Sequence, residues 1–347
     1  FYLAKHGYLV VGITPREDNV PLDAEEAVMA DWGMAKHRED VQSIIEPIQA
    51  AIGLPYDVLG HSFGAMVALD YAAEVSDPDF GSVMLLDVPS LAPDPLSVKM
   101  GYAAASLYAY GALMDGVLVD GVLVGGGDYA DSSINDLRNL VSDANEEPLG
   151  DSRVERGGLN ELLPGNFTFA ALLHVSLIYT AYLPGAITPV VGLPQEWPML
   201  PDTYDSPMPP RGNAAGWYSP AGDPLNDTFE LTHTQVSRLV DMALVLGSGW
   251  TPLALARDYT AAIADVEPYA IDWSGVTEKV VWINGGLSMA NQFQAKTYIL
   301  DEAHNADVET YVIDDYGHID VLLGTDAAED VWRLLLPCST AGDGDED

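Results

Sequence analysis

Apolar positions along the chain follow two alternating periods, short β-rich runs and longer stretches at helical spacing. In the first ninety residues, YLVVGI (8–13), DVLG (57–60) and SVMLLD (82–87) read as strands. Between them, MAKHREDVQSIIEPIQAAIG (34–53), ending on Gly53, and GAMVALDYAAE (64–74) carry the spacing of amphipathic or buried helices. The alternation returns near the C-terminus. KVVWIN (279–284) and DVETYVI (307–313) read as strands, and NQFQAKTYILDEA (291–303) and DAAEDVWRLLL (326–336) as helices, the last stopped by Pro337. Strands alternating with helices predict an α/β fold with a mostly parallel sheet flanked by helices.

The intervening residues, 91–274, have a different character. They hold apolar helical patterns, the glycine run GVLVGGG (121–127), and ten of the 23 prolines between Pro184 and Pro224. Proline at that density excludes regular helix and central strand. The reading is a large cap, mainly helix and loop, inserted into the α/β frame. The organisation is therefore a first core part (1–90), the cap (91–274), a second core part (275–338) and an acidic tail (339–347). The longest apolar stretch, FAALLHVSLIYTAYLPGAITPVV (169–191), contains His174, Pro184 and Pro189, and reads as a buried cap helix and loop rather than a membrane span.

Charge narrows the function classes. The 347 residues carry 53 acidic and 14 basic side chains, a net charge of −39, yet 48% of residues are hydrophobic. That surface repels phosphates, which excludes nucleic acid and anionic membrane as partners held by general electrostatics. The hydrophobic share separates the chain from the disordered acidic class. GDGDED (342–347) supplies only four of the acids, and Lys occurs five times against 35 Asp, so the charge lies on the folded body and resembles that of salt-adapted surfaces. The single cysteine, Cys338, excludes an internal disulfide framework and a cysteine-based zinc site. No metal cluster or P-loop is visible and no cofactor is expected; GVLVGGGD lacks the Lys-Ser/Thr pair of a phosphate loop. The sequons at Asn166 and Asn226 matter only where glycosylation occurs, and compartment and oligomeric state are not encoded legibly.

The chemistry concentrates in GHSFG, Gly60 to Gly64. The pattern G-x-S-x-G arises by chance about 0.16 times in a chain of this composition, so context decides. A strand precedes it, a helix follows, and a further strand comes at the expected distance. This is the nucleophile elbow, with Ser62 on the strained turn, His61 before it, and glycines on both sides where strand and helix crowd together. The N–H of Phe63, just after the nucleophile, is one oxyanion donor. A serine needs a base, and the base needs an orienting group. Of seven histidines, His318 in DDYGHID follows a strand and precedes the last helix, where the base belongs in the order Ser, acid, His.

Together LAKHGYLVVGI, YDVLGHSFGAMVALDYA and YGHIDVLLG resemble the α/β-hydrolase superfamily, in its lipase- and esterase-like members, over residues 1–90 and about 275–338. The resemblance implies a serine hydrolase forming an acyl-enzyme on Ser62. The family's usual acid, in a turn after the penultimate strand, has no counterpart: NGGLSMAN (284–291) lacks a carboxylate, and no Asp or Glu occurs from Lys279 through Leu300. Asp87, closing SVMLLD, is the alternative acid, as in members that place it after the elbow helix's next strand. Asp314 and Asp315 stand too close to His318 in sequence, Asp320 reads as a local cap, and Ser288 or Asn284 remain weaker orienting groups. The loop that would bring the second oxyanion donor precedes the helix ending at LAKHG, so the chain reads as a core without its first strands. The aromatic cap residues Trp197, Trp217, Tyr179, Tyr182, Phe167 and Phe169 suggest a hydrophobic acyl or alcohol part, a carboxylic ester first, with amides, thioesters and lactones left open. A non-catalytic ligand-binding protein on the same frame is the competing expectation.

Overall fold

The computed structural model describes residues 2–21, 23–88, 100, 102–107, 117–119, 122–124, 130–131, 216–219, 228–231, 233–235, 238, 241–242, 250–286, 305 and 307–336. Four parallel strands form its central sheet: β1 (Tyr56–His61), β2 (Phe80–Leu86), β3 (Lys279–Gly285) and β4 (Val308–Ile313), in that spatial order. The expected α/β class is what the chain adopts, a parallel sheet with helices on its faces. Register aligns the C-terminal ends, His61 opposite Leu86, Leu86 opposite Ile283, and Gly285 opposite Ile313. Loops leaving these ends therefore emerge side by side, where ligands collect in open α/β sheets.

Alternation along the central strands assigns side chains to two cores. Val83, Leu85, Val280 and Trp282 face one cluster, and Met84, Leu86, Val281 and Ile283 face the other. Both faces are buried, which is why these strands read as continuous apolar runs. The first cluster is covered by the helices α1 (Met34–Ile52), α2 (Phe63–Glu74) and α3 (Leu253–Ala264). The second is closed by Tyr316, Val321, Val331 and Leu335 after β4, with Leu3 packed against it. Helix α3 lies within the span 91–274, yet Leu255, Tyr259, Ala262 and Ile263 share the core of α2.

Helix α1 shows how the chain encodes a boundary. It ends on Gly53 in the left-handed conformation at φ 65°, the favoured helix stop. At its other end, Asp258 of α3 accepts the N–H of Met34 at 2.8 Å, satisfying one of the free donors of the first turn from a distant part of the chain. A side chain on Gly33 would come within 2.1 Å of that carboxylate, so the approach requires glycine.

Two sequence expectations do not hold. YLVVGI (8–13) joins no ladder among the described residues and has no regular secondary structure, and Leu9, Val10, Val11 and Ile13 are exposed. A β-rich composition makes a strand only where a neighbour supplies hydrogen bonds, and among the described residues β1 has no strand on its outer side. The segment 326–336 is not one helix but a turn of α-helix (Ala327–Asp330) and a 3₁₀ turn (Trp332–Leu335), interrupted at Val331 (φ −110°, ψ −60°). The expected helix over 291–303, most of the cap and the acidic tail lie outside the described residues, as does the apolar stretch 169–191. Among the described residues no helix is long and apolar enough to cross a membrane.

Candidate active site

The loop after β1 carries Ser62 at φ 55°, ψ −121°, a conformation that L-residues adopt only when their surroundings enforce it. The constraint is visible: Ser62 N–H donates to Leu86 C=O at 3.1 Å, tying the turn to β2, while Ser62 C=O receives the N–H groups of Ala65 and Met66. A side chain at Gly60 would sit 2.1 Å from Gly64 C=O, so strand and helix do crowd at this point. Gly64 differs from the sequence expectation, because a side chain there would meet open space among the described residues. Phe63 opens α2, so its N–H belongs to the first turn, whose donors have no partner within the helix.

Asp87 and His318 meet across 231 residues of sequence. Asp87 follows β2 at φ 45° and is wholly buried. Its backbone N–H donates to Ile283 C=O at 2.8 Å, and its Oδ1 accepts the N–H of Gly285 at 2.9 Å. Its Oδ2 lies 2.5 Å from Nδ1 of His318. A carboxylate only accepts, so Nδ1 carries the hydrogen, and in a neutral ring Nε2 keeps its lone pair, the tautomer a general base needs. His318 is 8% exposed. Its loop is anchored by Asp320, also wholly buried, which accepts Gly317 N–H at 2.9 Å and the Thr234 hydroxyl at 2.5 Å.

Ser62 makes no hydrogen bond to His318; the two loops are joined through His61. His61 Nε2–H donates to His318 C=O at 2.8 Å, and the rings lie 4.3 Å apart. Loss of solvation, aided by the neighbouring His318 imidazole, lowers the pKa of His61 to about 3. His61 thus stays neutral while holding the His318 backbone, a role that its place inside the elbow did not suggest.

The remaining candidates fall elsewhere. Asp314 and Asp315 are exposed. Asn284 is buried, with Oδ1 accepting the indole N–H of Trp282 at 3.0 Å, and Ser288 lies outside the described residues. His37 pairs with Glu17 at 3.0 Å, His6 bonds Tyr2 C=O, and His233 stacks on Tyr316 at 3.9 Å, while His174 and His304 lie outside the described residues. Sequence reasoning missed Tyr259, whose ring sits 4.1 Å from that of Phe63. The helical pattern LALARDYTAAIA signals burial but not what the helix buries against. Among the described residues no three His, Cys, Asp or Glu side chains are grouped to hold a metal ion.

No family model matches the chain, and no curated protein does. Among solved structures, the chain is similar to a candidate lipase from Sulfolobus solfataricus at 16% identity, over 91% of this chain and 68% of that one, with a TM-score of 0.49. It is similar to epoxide hydrolase A from Mycobacterium thermoresistibile at 14% identity, over 85% and 72% of the two chains, with a TM-score of 0.39. MenH from S. aureus aligns at 11% identity over 92% of this chain and 79% of that one, with a TM-score of 0.36.

Proposed function

We propose, from the α/β-hydrolase fold of this chain, that it is a serine hydrolase cleaving carboxylic esters, with Ser62 as nucleophile, His318 as general base and Asp87 as the orienting acid. One observation carries the reading. The sole carboxylate bonded to His318 Nδ1 among the described residues is Asp87, which follows the strand beside the one that leads into the strained Ser62 turn. The two adjacent strand ends, at Ser62 and Asp87, both hold unfavourable backbone conformations at a cost of roughly 1–3 kcal/mol each, which supports a functional reading of the pair.

In this mechanism His318 Nε2 takes the proton of Ser62 Oγ as that oxygen attacks the ester carbonyl. The developing oxyanion receives the Phe63 N–H, and Asp87 stabilises the imidazolium through Nδ1–H. The tetrahedral intermediate collapses, His318 hands its proton to the departing alkoxide, and an alcohol leaves from an acyl-Ser62. Water, deprotonated by the same nitrogen, then attacks the acyl carbon; Ser62 recovers its proton and a carboxylic acid departs. A side-chain carboxylate is absent from the nucleophile position, which separates this chemistry from alkyl-enzyme mechanisms built on aspartate. Aromatic residues of the 91–274 span favour an apolar acyl or alcohol part.

A p-nitrophenyl ester series of increasing acyl length tests the reading. Turnover that depends on Ser62 and His318 is expected, with a preference for apolar chains. Saturable binding of the same esters with no turnover would instead favour a ligand-binding protein on this frame.

A further inference from the structure

Several buried or half-buried hydroxyls among the described residues are satisfied. Tyr56 and Tyr71 bond each other at 2.8 Å, Tyr316 donates to Asp330 at 2.6 Å, and Thr260 donates to Ala256 C=O at 2.7 Å. Tyr259 differs. Its side chain is 1% exposed, yet its hydroxyl has no hydrogen-bond partner among the described residues. Leaving such a group buried and unsatisfied is unfavourable, and exceptions of this kind call for a specific reason.

The position supplies one. Tyr259 lies on α3 with its ring tilted 33° against Phe63, the residue whose N–H follows the nucleophile. A second orphaned donor, Nδ2 of the wholly buried Asn284, sits one residue before Gly285, which holds Asp87. Two of the three unpartnered buried side-chain atoms among the described residues thus flank the candidate triad, and both are donors. Burial first, then the nearby Tyr102 and Asp87, push the Tyr259 pKa well above its ordinary value, so the hydroxyl keeps its proton and can donate it to an acceptor placed there.

We infer that Tyr259 contacts substrate, donating its hydroxyl proton to an acceptor oxygen of the bound ester beside Phe63. The inference rests on the reading of the Ser62 turn as the substrate site. It makes Tyr259 a determinant of which esters fit: an ester oxygen must reach the hydroxyl, and a substrate lacking that acceptor leaves it unpaired.

The test compares Tyr259→Phe with wild type, and Ser62→Ala with Ser62→Ala/Tyr259→Phe, using p-nitrophenyl butyrate. Removing a hydroxyl unsatisfied in the free protein should leave the melting midpoint unchanged or raise it by about 1–3 °C. Losing its bond to the ester should weaken butyrate-ester binding in the Ser62→Ala background, and kcat/KM in the Ser62 background, by about tenfold. Equal binding and equal kcat/KM overturn the inference, as does a lowered midpoint, which would mean that the hydroxyl is already partnered. The binding arm separates the two readings. If Tyr259→Phe hydrolyses the ester as well as wild type, the protein keeps its hydrolase assignment and loses this contact. If wild type binds the ester without ever hydrolysing it, and Tyr259→Phe binds it less well, the contact stands and the hydrolase assignment falls.

Discussion

The proposed triad of Ser62, Asp87 and His318 would act as one unit, so single replacements at them should have large and similar effects. Asp87→Asn keeps the shape of the acid but presents an amide that can donate to Nδ1, favouring the wrong tautomer of His318. Ester turnover should drop by about 10⁴-fold while the protein remains folded, read by steady-state kinetics beside a circular-dichroism spectrum. Near-normal turnover would remove Asp87 from the triad. His61 makes a prediction about stability. Its folded pKa of about 3 lies below its ordinary value of 6.5, so between those values the unfolded chain binds a proton that the folded protein refuses. Stability contributed at His61 is therefore present above pH 6.5 and is lost as pH falls toward 3. Melting curves of His61→Gln across that window should show a shallower acid destabilisation than wild type; parallel curves would contradict the assignment. At this scale the sequence was informative about Ser62 and His318, because strand–turn–helix spacing marks them directly. Asp87 emerged only by elimination, since nothing local says that its carboxylate meets a histidine 231 residues away. The tether from His61 and the hydroxyl of Tyr259 were invisible for the same reason: each depends on a neighbour from another part of the chain.

Elements explain which glycines matter. Gly60 faces the Gly64 carbonyl at a hypothetical 2.1 Å, whereas Gly64 faces open space, although the motif treats the two alike. Gly60→Ala should disrupt the elbow, with loss of activity and a midpoint lowered by several degrees, and Gly64→Ala should be tolerated; thermal melts of the pair, with equal losses in both, would refute the distinction. Gly33→Ala should likewise destabilise by forcing Asp258 off the start of α1. The helix α1 was legible from its long helical period, and the strands β2 and β3 from burial on both faces. YLVVGI was not, because pairing decides whether a β-rich run becomes a strand, and pairing is not a local property. The terminal segment after Asp326 failed for a related reason: its apolar spacing suits a helix, but Leu335 and Val331 are placed by the second core rather than by helical continuity.

For the whole molecule, charge sets the working conditions. Basic side chains among the described residues are largely engaged: Arg16 with Asp40, Arg38 with Asp70 at 2.7 Å, Arg257 with Asp258 at 2.7 Å, and Lys279 with Glu309 at 2.8 Å. That leaves a large excess of acids on a body of net charge −39. Such self-repulsion is weakened as the screening length contracts from about 10 Å at 0.1 M salt to about 3 Å at 1 M. The melting midpoint should therefore climb by many degrees between roughly 0.1 and 2 M KCl, measured by differential scanning fluorimetry; full stability without added salt would contradict a salt-adapted surface. The proposed mechanism uses none of that charge beyond Asp87.

The central claim, that Ser62 is a nucleophile activated by His318, is tested most directly by labelling with a fluorophosphonate probe and locating the adduct by mass spectrometry. One adduct is expected, on Ser62, formed in wild type and lost in His318→Ala. Labelling of a different residue, or of Ser62 at an undiminished rate without His318, would contradict it.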